Sequence, residues 1–261
     1  MMKHITNQKS FRWASVALVV ALLQGCATGP NANPADPLEP LNRTVFQFNE
    51  GLDQAVIKPV ATAYQNVTPA PVRTGVTNFF GNLSDVWSVV NNVLQAKPQA
   101  ALESFFRVTT NTLWGVGGIF DVASDLKIPK HSENFGQTLG HWGVASGPYL
   151  VLPVFGPSNV RDSIGRLVDS QGDLVTQGVD DIAVRNSLVG LRLVNLRANL
   201  LGVGDFLEQA SLDKYTFARD IYMQRHRSSR AVDAPPEERY DLPEAAPGAE
   251  QAPAPVPAGK P

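Results

Sequence analysis

Few side chains in this sequence have a type and a spacing suited to reaction chemistry. A hydrolase elbow would place serine at the centre of Gly-x-Ser-x-Gly, but in Gly143–Gly147 the serine, Ser146, comes one place too late. His131 and His141 lie ten residues apart, which is not the i, i+4 spacing of two metal ligands on one helix face. The sequence therefore predicts no catalytic residue, no metal and no cofactor.

The single cysteine, Cys26, closes a segment typical of bacterial secretion. Three basic residues precede an eleven-residue apolar run, Trp13–Leu23, which is too short to cross the roughly 30 Å hydrocarbon core of a bilayer. Leu22–Gly25 before Cys26 resembles a lipobox, where a diacylglycerol is attached to the thiol and the chain is cut before the cysteine. Ala27, rather than aspartate, follows the cysteine, and by resemblance to Gram-negative sorting rules this implies the outer membrane.

The charge balance argues against nucleic acid as a partner. The signal segment holds three basic residues and no acidic one, so the mature chain keeps 19 of the 22 basic residues against 24 acidic residues. Nucleic-acid binding needs clustered cationic side chains, which this composition does not favour.

Four segments follow from composition. We expect a signal peptide over 1–25, a lipidated cysteine with a short linker over 26–35, a helical body over 36–230 and a disordered tail over 231–261 that holds eight prolines. The nine residues after Cys26 reach at most about 30 Å when fully extended, so the body must lie against or within the membrane that holds the lipid.

Apolar residues in the body recur mostly at helical spacing, and no alternating strand set is found. The pattern predicts an all-α body. The first expected helix carries Leu41, Val45, Phe48, Leu52 and Val56 on one face and ends before Lys58-Pro59. Pro71 opens a second helix, and Ser84-Asp85 caps a third whose inward residues are Val86, Val89, Val90, Val93 and Leu94. Pro98 opens a fourth helix, one or two helices cover 180–212, and a last helix covers 214–226.

Two apolar segments in the middle break this pattern. Trp114–Phe120 contains three glycines, each of which costs a helix about 1 kcal/mol against alanine. Gly147–Pro157 is a run of large apolar residues bracketed by glycine and proline. The second segment is either an irregular core loop or an apolar loop that faces lipid or a partner, and the short tether favours the latter.

An ordered set of short motifs runs through the body. They are Asp36–Arg43, Phe46, Phe48-Asn49, Asn78–Leu83, Phe106-Arg107, Asn111-Thr112, Trp114–Ala123, Glu133–Gly143, Gly147–Pro153, Gly156–Ser158, Arg161-Asp162, Tyr215, Arg219 and Tyr222–Arg225. In this order the motifs resemble the MlaA/VacJ lipoproteins. The resemblance implies a ring-like bundle of amphipathic helices embedded in the outer membrane, which removes phospholipids from the outer leaflet and has no catalytic chemistry. It also implies porin trimers as neighbours, and a periplasmic phospholipid carrier that feeds an inner-membrane ABC transporter system.

Two groups of residues are the candidates for function under this hypothesis. Residues that line or gate a lipid path would be Asn42, Arg43, Phe46, Phe48, Asn49 and Arg107, although helix capping and internal ion pairing explain the polar ones equally well. Residues of a membrane-facing ridge or mobile loop would be Trp114, Ile119, Phe120, Tyr149, Leu150, Leu152 and Phe155.

Two other functions remain open from the sequence. A lipid-anchored hydrolase would use His141 with an unidentified serine and would release fatty acid. A structural envelope lipoprotein would copurify with peptidoglycan rather than with phospholipid.

Overall fold

Helices make up most of the computed structural model, which describes residues 36–204 and 212–233. An all-α body was predicted, and the described residues are mostly helical with one β-hairpin. The signal peptide, Cys26, the linker and the tail after residue 233 lie outside the described residues. Among the described helices, none has the length and apolar character needed to cross a membrane. The helices are α1 Glu39–Leu52, α2 Lys58–Val67, α3 Ala70–Leu94, α4 Pro98–Leu113, α5 Val122–Asp125, α6 Phe135–His141, α7 Val160–Gly172, α8 Leu174–Gly178, α9 Ile182–Asn199 and α10 Lys214–Asp233.

Helices α1 and α2 are joined by one π-helical turn, Asp53–Ile57. The prediction that the first helix ends before Lys58-Pro59 is therefore wrong. Proline lacks the N–H that an α-helix needs and its ring clashes with the preceding turn. The wider turn absorbs this defect, because the Lys58 N–H bonds to the Asp53 carbonyl five residues back. The helical path thus continues from Glu39 to Val67.

Proline residues open α3 and α4 as predicted, with one in the first turn of each helix. The predicted cap at Ser84-Asp85 is wrong, because α3 runs through both residues for 25 residues without a break. Asp85 is instead buried and lies 3.2 Å from the Lys130 ammonium. Burial raises the pKa of Asp85 above its ordinary value, and the Lys130 charge opposes that rise.

A β-hairpin occupies the Gly/Pro-rich apolar segment, where no strand was predicted. Strands β1, Tyr149–Leu152, and β2, Gly156–Asn159, pair in antiparallel register. The four residues of β1 are all apolar, so the sequence lacks the alternation of apolar and polar residues that marks a half-buried strand, although burial alternates along β1. The connection also lacks an Asn-Gly signal: Val154 takes a left-handed φ of 69°, an unusual conformation for a β-branched residue.

The interior of the helical body is polar. Among the residues whose burial is described, eighteen buried residues are polar or charged and ten are apolar, which reverses the usual preference of a folded core. Along α3, buried side chains recur every three or four residues on the side that faces α4, for example where Asn92 Nδ2 lies 3.4 Å from Ser104 Oγ and Asn82 Nδ2 lies 3.0 Å from Thr112 Oγ1. The helices are amphipathic as predicted, but their polar faces turn inward.

The opposite faces of these helices are apolar and exposed. Thirty-five large apolar side chains are exposed in the part of the chain that the structure describes, far more than scattered surface residues would account for. The predicted inward set on α3 is wrong at Val90, Val93 and Leu94, which are all exposed. On α4 and the turns after it, the exposed residues form one apolar surface: Leu102, Phe105, Phe106, Leu113, Trp114, Val116, Ile119 and Phe120.

Candidate functional site

A cavity of about 2040 Å³ lies inside the body. Side chains from the hairpin and from every described helix except α5 and α8 line it. The lining mixes charged groups with large apolar side chains, including Phe46, Trp87, Leu152 and Phe155. A space of this size with both polar and apolar walls suits an amphipathic molecule better than a small polar metabolite.

The charges in the cavity wall are paired across neighbouring elements. Arg197 of α9 makes two bonds of 2.7 and 2.8 Å to Asp53 in the π turn. Arg192 lies 3.0 Å from Asp173, and Lys97 lies 3.4 Å from Glu133. Such pairs keep the wall polar without concentrating one sign of charge.

Arg166 differs from these paired cations. Its guanidinium lies 5.5 Å from the centre of the Phe155 ring, at the tip of the hairpin, and no described carboxylate pairs with it. A cation–π contact is weaker and less directional than an ion pair. Arg166 is therefore the guanidinium best placed to meet an anionic group inside the cavity.

Asp162 joins α7 to the C-terminal helix. Its carboxylate accepts hydrogen bonds from His226 Nε2 at 2.7 Å, Tyr222 Oη at 3.0 Å, Asn159 Nδ2 at 2.8 Å and Arg161 Nε at 2.9 Å. Burial alone would raise the pKa of Asp162, but the hydrogen bonds from His226 and Arg161 outweigh it and hold the pKa well below its ordinary value. This cluster fixes α10 against the cavity wall.

Two asparagines of α1, seven residues apart, hold the outer edge of β1. Asn42 donates to Asp36 Oδ1 at 2.9 Å and to the Tyr149 carbonyl at 3.1 Å, and accepts from the Val151 N–H at 2.9 Å. Asn49 donates to the Leu152 carbonyl at 2.9 Å and accepts from the Val154 N–H at 2.7 Å. The two amides replace a third strand and hold the strained turn at Val154. We call Asn42 and Asn49 the amide clamp.

The structure places the six predicted path residues at different locations, and only Phe46 is among the lining residues of the cavity. Asn42 is buried within the wall, and Asn49 supports the hairpin from outside the lining. Arg43 pairs with Glu39 and with Asp213, both at 2.8 Å. Phe48 is exposed. Direct lining is therefore wrong for Asn42, while gating through the hairpin stays a prediction.

Arg107 is a wall residue, 2% exposed. It donates to the Ile128 carbonyl at 2.6 Å, to Asp121 at 2.9 and 3.0 Å, and to Ser124 at 3.2 Å. These bonds tie α4 to the segment that follows the glycine-rich turns. The internal ion pair, which the sequence left as an alternative to channel lining, is the arrangement found.

The predicted membrane-facing residues also separate into groups. Trp114, at 68% exposure, is part of the apolar surface together with Ile119 and Phe120. Phe155 is also exposed and lines the cavity, whereas Leu150 and Leu152 are half-buried. Tyr149 is 1% exposed and packs with Tyr215 and Tyr222, so its prediction as a surface residue is wrong.

These features can be set against known proteins. Residues 34–229 match the model of the MlaA lipoprotein family, which covers the polar interior, the cavity and the hairpin. The chain belongs to the MlaA lipoprotein family. The match ends within α10, close to the predicted end of the helical body at 230.

Relatives and a solved structure agree with this assignment. The chain is 38% identical over 223 residues to the MlaA lipoprotein of the intermembrane phospholipid transport system of Escherichia coli K12, covering 82% of this chain and 87% of that one. It is 33% identical over 219 residues to the Haemophilus influenzae MlaA, covering 80% and 86%. A solved structure concerned with maintenance of bacterial outer membrane lipid asymmetry aligns with a TM-score of 0.64 at 36% identity, covering 74% of this chain and 98% of that chain.

Sequence reasoning missed the role of Asp162 and its partners. In the sequence, Arg161-Asp162 stands out only as part of a family motif, and His226 falls just outside the last motif. Asp162 and His226 are 64 residues apart, so no local spacing could have joined them. The ion pairs of Asp53 with Arg197 and of Asp173 with Arg192 were missed for the same reason, because their partners are 144 and 19 residues apart in the sequence.

Proposed function

We propose that this chain is an outer-membrane lipoprotein that takes phospholipids from the outer leaflet and passes them to a periplasmic carrier, which maintains lipid asymmetry. The observation that carries the proposal is the reversed polarity of the body: apolar helix faces are exposed, and polar faces surround a large cavity. The names of the E. coli and H. influenzae relatives support the same substrate.

The exposed apolar surface on α4 fits a body embedded in the hydrocarbon region. Phe105, Phe106, Leu113 and Trp114 turn toward the outside of the bundle, where contact with acyl chains removes their apolar area from water. Their number and continuity are what an interfacial protein needs, since amphipathic helices lie in the membrane with the apolar face buried. We place the ring-like body on the periplasmic side, anchored through Cys26.

The headgroup of a phospholipid would pass through the cavity inside the protein body. Moving a charged headgroup through hydrocarbon is costly, and a hydrated path lined by paired charges removes most of that cost. Leu152 and Phe155 on the hairpin offer apolar contact for the acyl chains of the same lipid. Arg166 would meet the phosphate, exchanging its contact with Phe155 for an ion pair.

Fluorescence quenching tests the embedding. Brominated acyl chains should quench Trp114, and the quenched component should disappear in Trp114→Phe. Trp87 is the internal reference, since it is half-buried, lines the cavity and donates to Asp169 at 2.8 Å. Quenching that is equal in wild type and Trp114→Phe would remove the membrane-facing surface from the proposal.

A substitution in the cavity wall tests transport. Leu152→Asp should leave the protein acylated, sorted and folded, yet raise the phospholipid exposed on the cell surface in a strain that lacks the wild-type gene. Leu152→Met, which keeps an apolar side chain of similar volume, is the matched control and should complement fully. Full complementation by stable Leu152→Asp would argue against the cavity as the path.

The neighbours of the proposed complex are testable separately. Mass spectrometry of copurifying lipids should find phospholipid, and crosslinking from Phe106 on the exposed surface should capture porin trimers. The hydrolase alternative predicts fatty-acid release that is lost in His141→Ala. Release at equal rates from both proteins removes His141 from that alternative, and release from neither supports transport. His141 lines the cavity, and no described serine is hydrogen-bonded to it.

A further inference from the structure

A second cleft, of about 370 Å³, lies where α2, α3 and α9 meet. It shares no lining residue with the large cavity. Its lining contains neutral amide and hydroxyl groups from Gln65, Thr74, Thr77 and Asn199, and one charged side chain, Arg73. The lining of this cleft has a positive charge and no acidic residue, whereas the lining of the cavity contains several arginine–carboxylate pairs.

Arg73 has no anionic partner in the part of the chain that the structure describes. Its Nε is buried and makes no hydrogen bond. Two amides nearby are directed at other groups: Asn195 and Asn199 donate to the Thr77 hydroxyl at 2.8 and 3.0 Å, and the Asn195 oxygen accepts from Tyr64 Oη at 3.0 Å. A buried donor on a charged group that is left without a partner is destabilising, so its persistence indicates a group that binds there from outside.

Exposed valines lie next to the lining residues of the cleft in the sequence. Val67, at 79% exposure, follows Gln65 at the end of α2, and Val72 adjoins Arg73. Val203, which adjoins the lining residue Gly202, is also exposed. A ligand that contacts both the Arg73 guanidinium and these valines needs one anionic group and apolar chains. An acidic peptide would supply the charge but would leave its backbone polar groups without partners among these valines.

We propose that this cleft binds the phosphodiester of a membrane phospholipid, with Arg73 as the phosphate ligand and the acyl chains over Val67 and Val72. The site is separate from the transport path and holds a lipid at the outer edge of the body. The inference rests on the membrane embedding in the proposed function. Arginine suits this role because its planar guanidinium offers several donors in a fixed geometry that matches phosphate oxygens.

Photo-crosslinking from Val72 tests the site directly. The full acylated chain, carrying a photoreactive side chain at 72, is placed in nanodiscs of phosphatidylglycerol and phosphatidylcholine. A phospholipid adduct is expected, and it should fall about tenfold when Arg73→Gln is added, the loss that one charge-assisted contact predicts. Arg185→Gln is the matched control, since Arg185 is a half-buried arginine of α9 that lines neither space, and it should leave the adduct unchanged.

Each other outcome overturns the proposal. An adduct that is unchanged in Arg73→Gln removes the phosphate ligand, and an adduct to protein assigns the cleft to a polypeptide partner. Abolition of the adduct by excess inorganic phosphate assigns it to free phosphate. In lipid-free detergent Arg73→Gln should melt no lower than wild type, and a clear drop would mean a structural role instead. If brominated acyl chains quench Trp114 but no lipid adduct forms at position 72, the protein is embedded and only this site is refuted. If Trp114 is not quenched, the membrane embedding itself has failed.

Discussion

Replacing Asn42 by alanine should unfold the hairpin edge and destabilise the whole body. The substitution removes three hydrogen bonds and leaves the buried Tyr149 carbonyl and Val151 N–H without partners. A buried polar group that loses its partner costs about 1–3 kcal/mol. Two such groups, with the weakened hold on Asp36, give an expected loss of about 3–5 kcal/mol in the free energy of unfolding.

The effect of Asn49→Ala should be smaller and local. Asn49 bonds to the Leu152 carbonyl and the Val154 N–H near the exposed turn, where water replaces the lost partner, so about 1 kcal/mol is expected. Thr44→Ala is the matched control on the same helix, since its hydroxyl bonds only to the Pro40 carbonyl and the side chain is exposed. It should change stability by less than about 0.5 kcal/mol.

Denaturant unfolding in detergent measures the stability of all three variants, and amide hydrogen exchange locates the change. Asn42→Ala should lose protection at Val151, whereas Asn49→Ala should lose it at Val154 alone. The reasoning is refuted if Asn42→Ala unfolds within about 1 kcal/mol of wild type while the Val151 amide stays protected, because the clamp would then carry none of the hairpin's stability.

Three further predictions follow from contacts inside the wall. The pKa of Asp162 is lower in the folded than in the unfolded protein, so its contribution to stability is full above about pH 4 and is lost as the pH falls below that value. In Asp162→Asn the free energy of unfolding should therefore decrease less between neutral and acidic pH than in wild type. An equal decrease in both proteins would contradict this prediction. Gly165→Ala would put a Cβ 2.5 Å from the Gly136 backbone nitrogen and should cost about 1–3 kcal/mol in thermal unfolding, whereas Gly190→Ala, with open space around it, should cost nothing. Arg107→Met takes the guanidinium from the half-buried Asp121 carboxylate and the donor from the Ile128 carbonyl, and it should cost about 2 kcal/mol by denaturant titration. A loss below about 0.5 kcal/mol would show the ion pair to be unimportant.

The sequence predicted the helical elements well because their determinants are local. Pro71 and Pro98 fix first turns, and the periodicity around Leu41–Val56 marks an amphipathic helix wherever its two faces point. The direction of those faces is not local. The valines of α3 would face the core in a water-soluble protein and the acyl chains in a membrane-embedded one. The sequence periodicity is the same in both cases, so it does not decide between them.

The site was predicted less completely, for a different reason. Motif resemblance found Asn42, Asn49 and Arg107, but their partners lie on the hairpin and in the segment after α4, so their roles depended on the tertiary fold. Arg73 was not found at all. Its distinguishing property is a missing partner, and a residue's lack of partners is visible only once its neighbours are in place.

The amide clamp also has a consequence for association between copies. An open strand edge invites pairing with a strand from another chain, which is a common start of aggregation. In this hairpin the edge of β1 is occupied by side-chain amides from a helix, and a helix cannot extend a sheet. Lateral growth into a larger β-structure is therefore blocked at that edge.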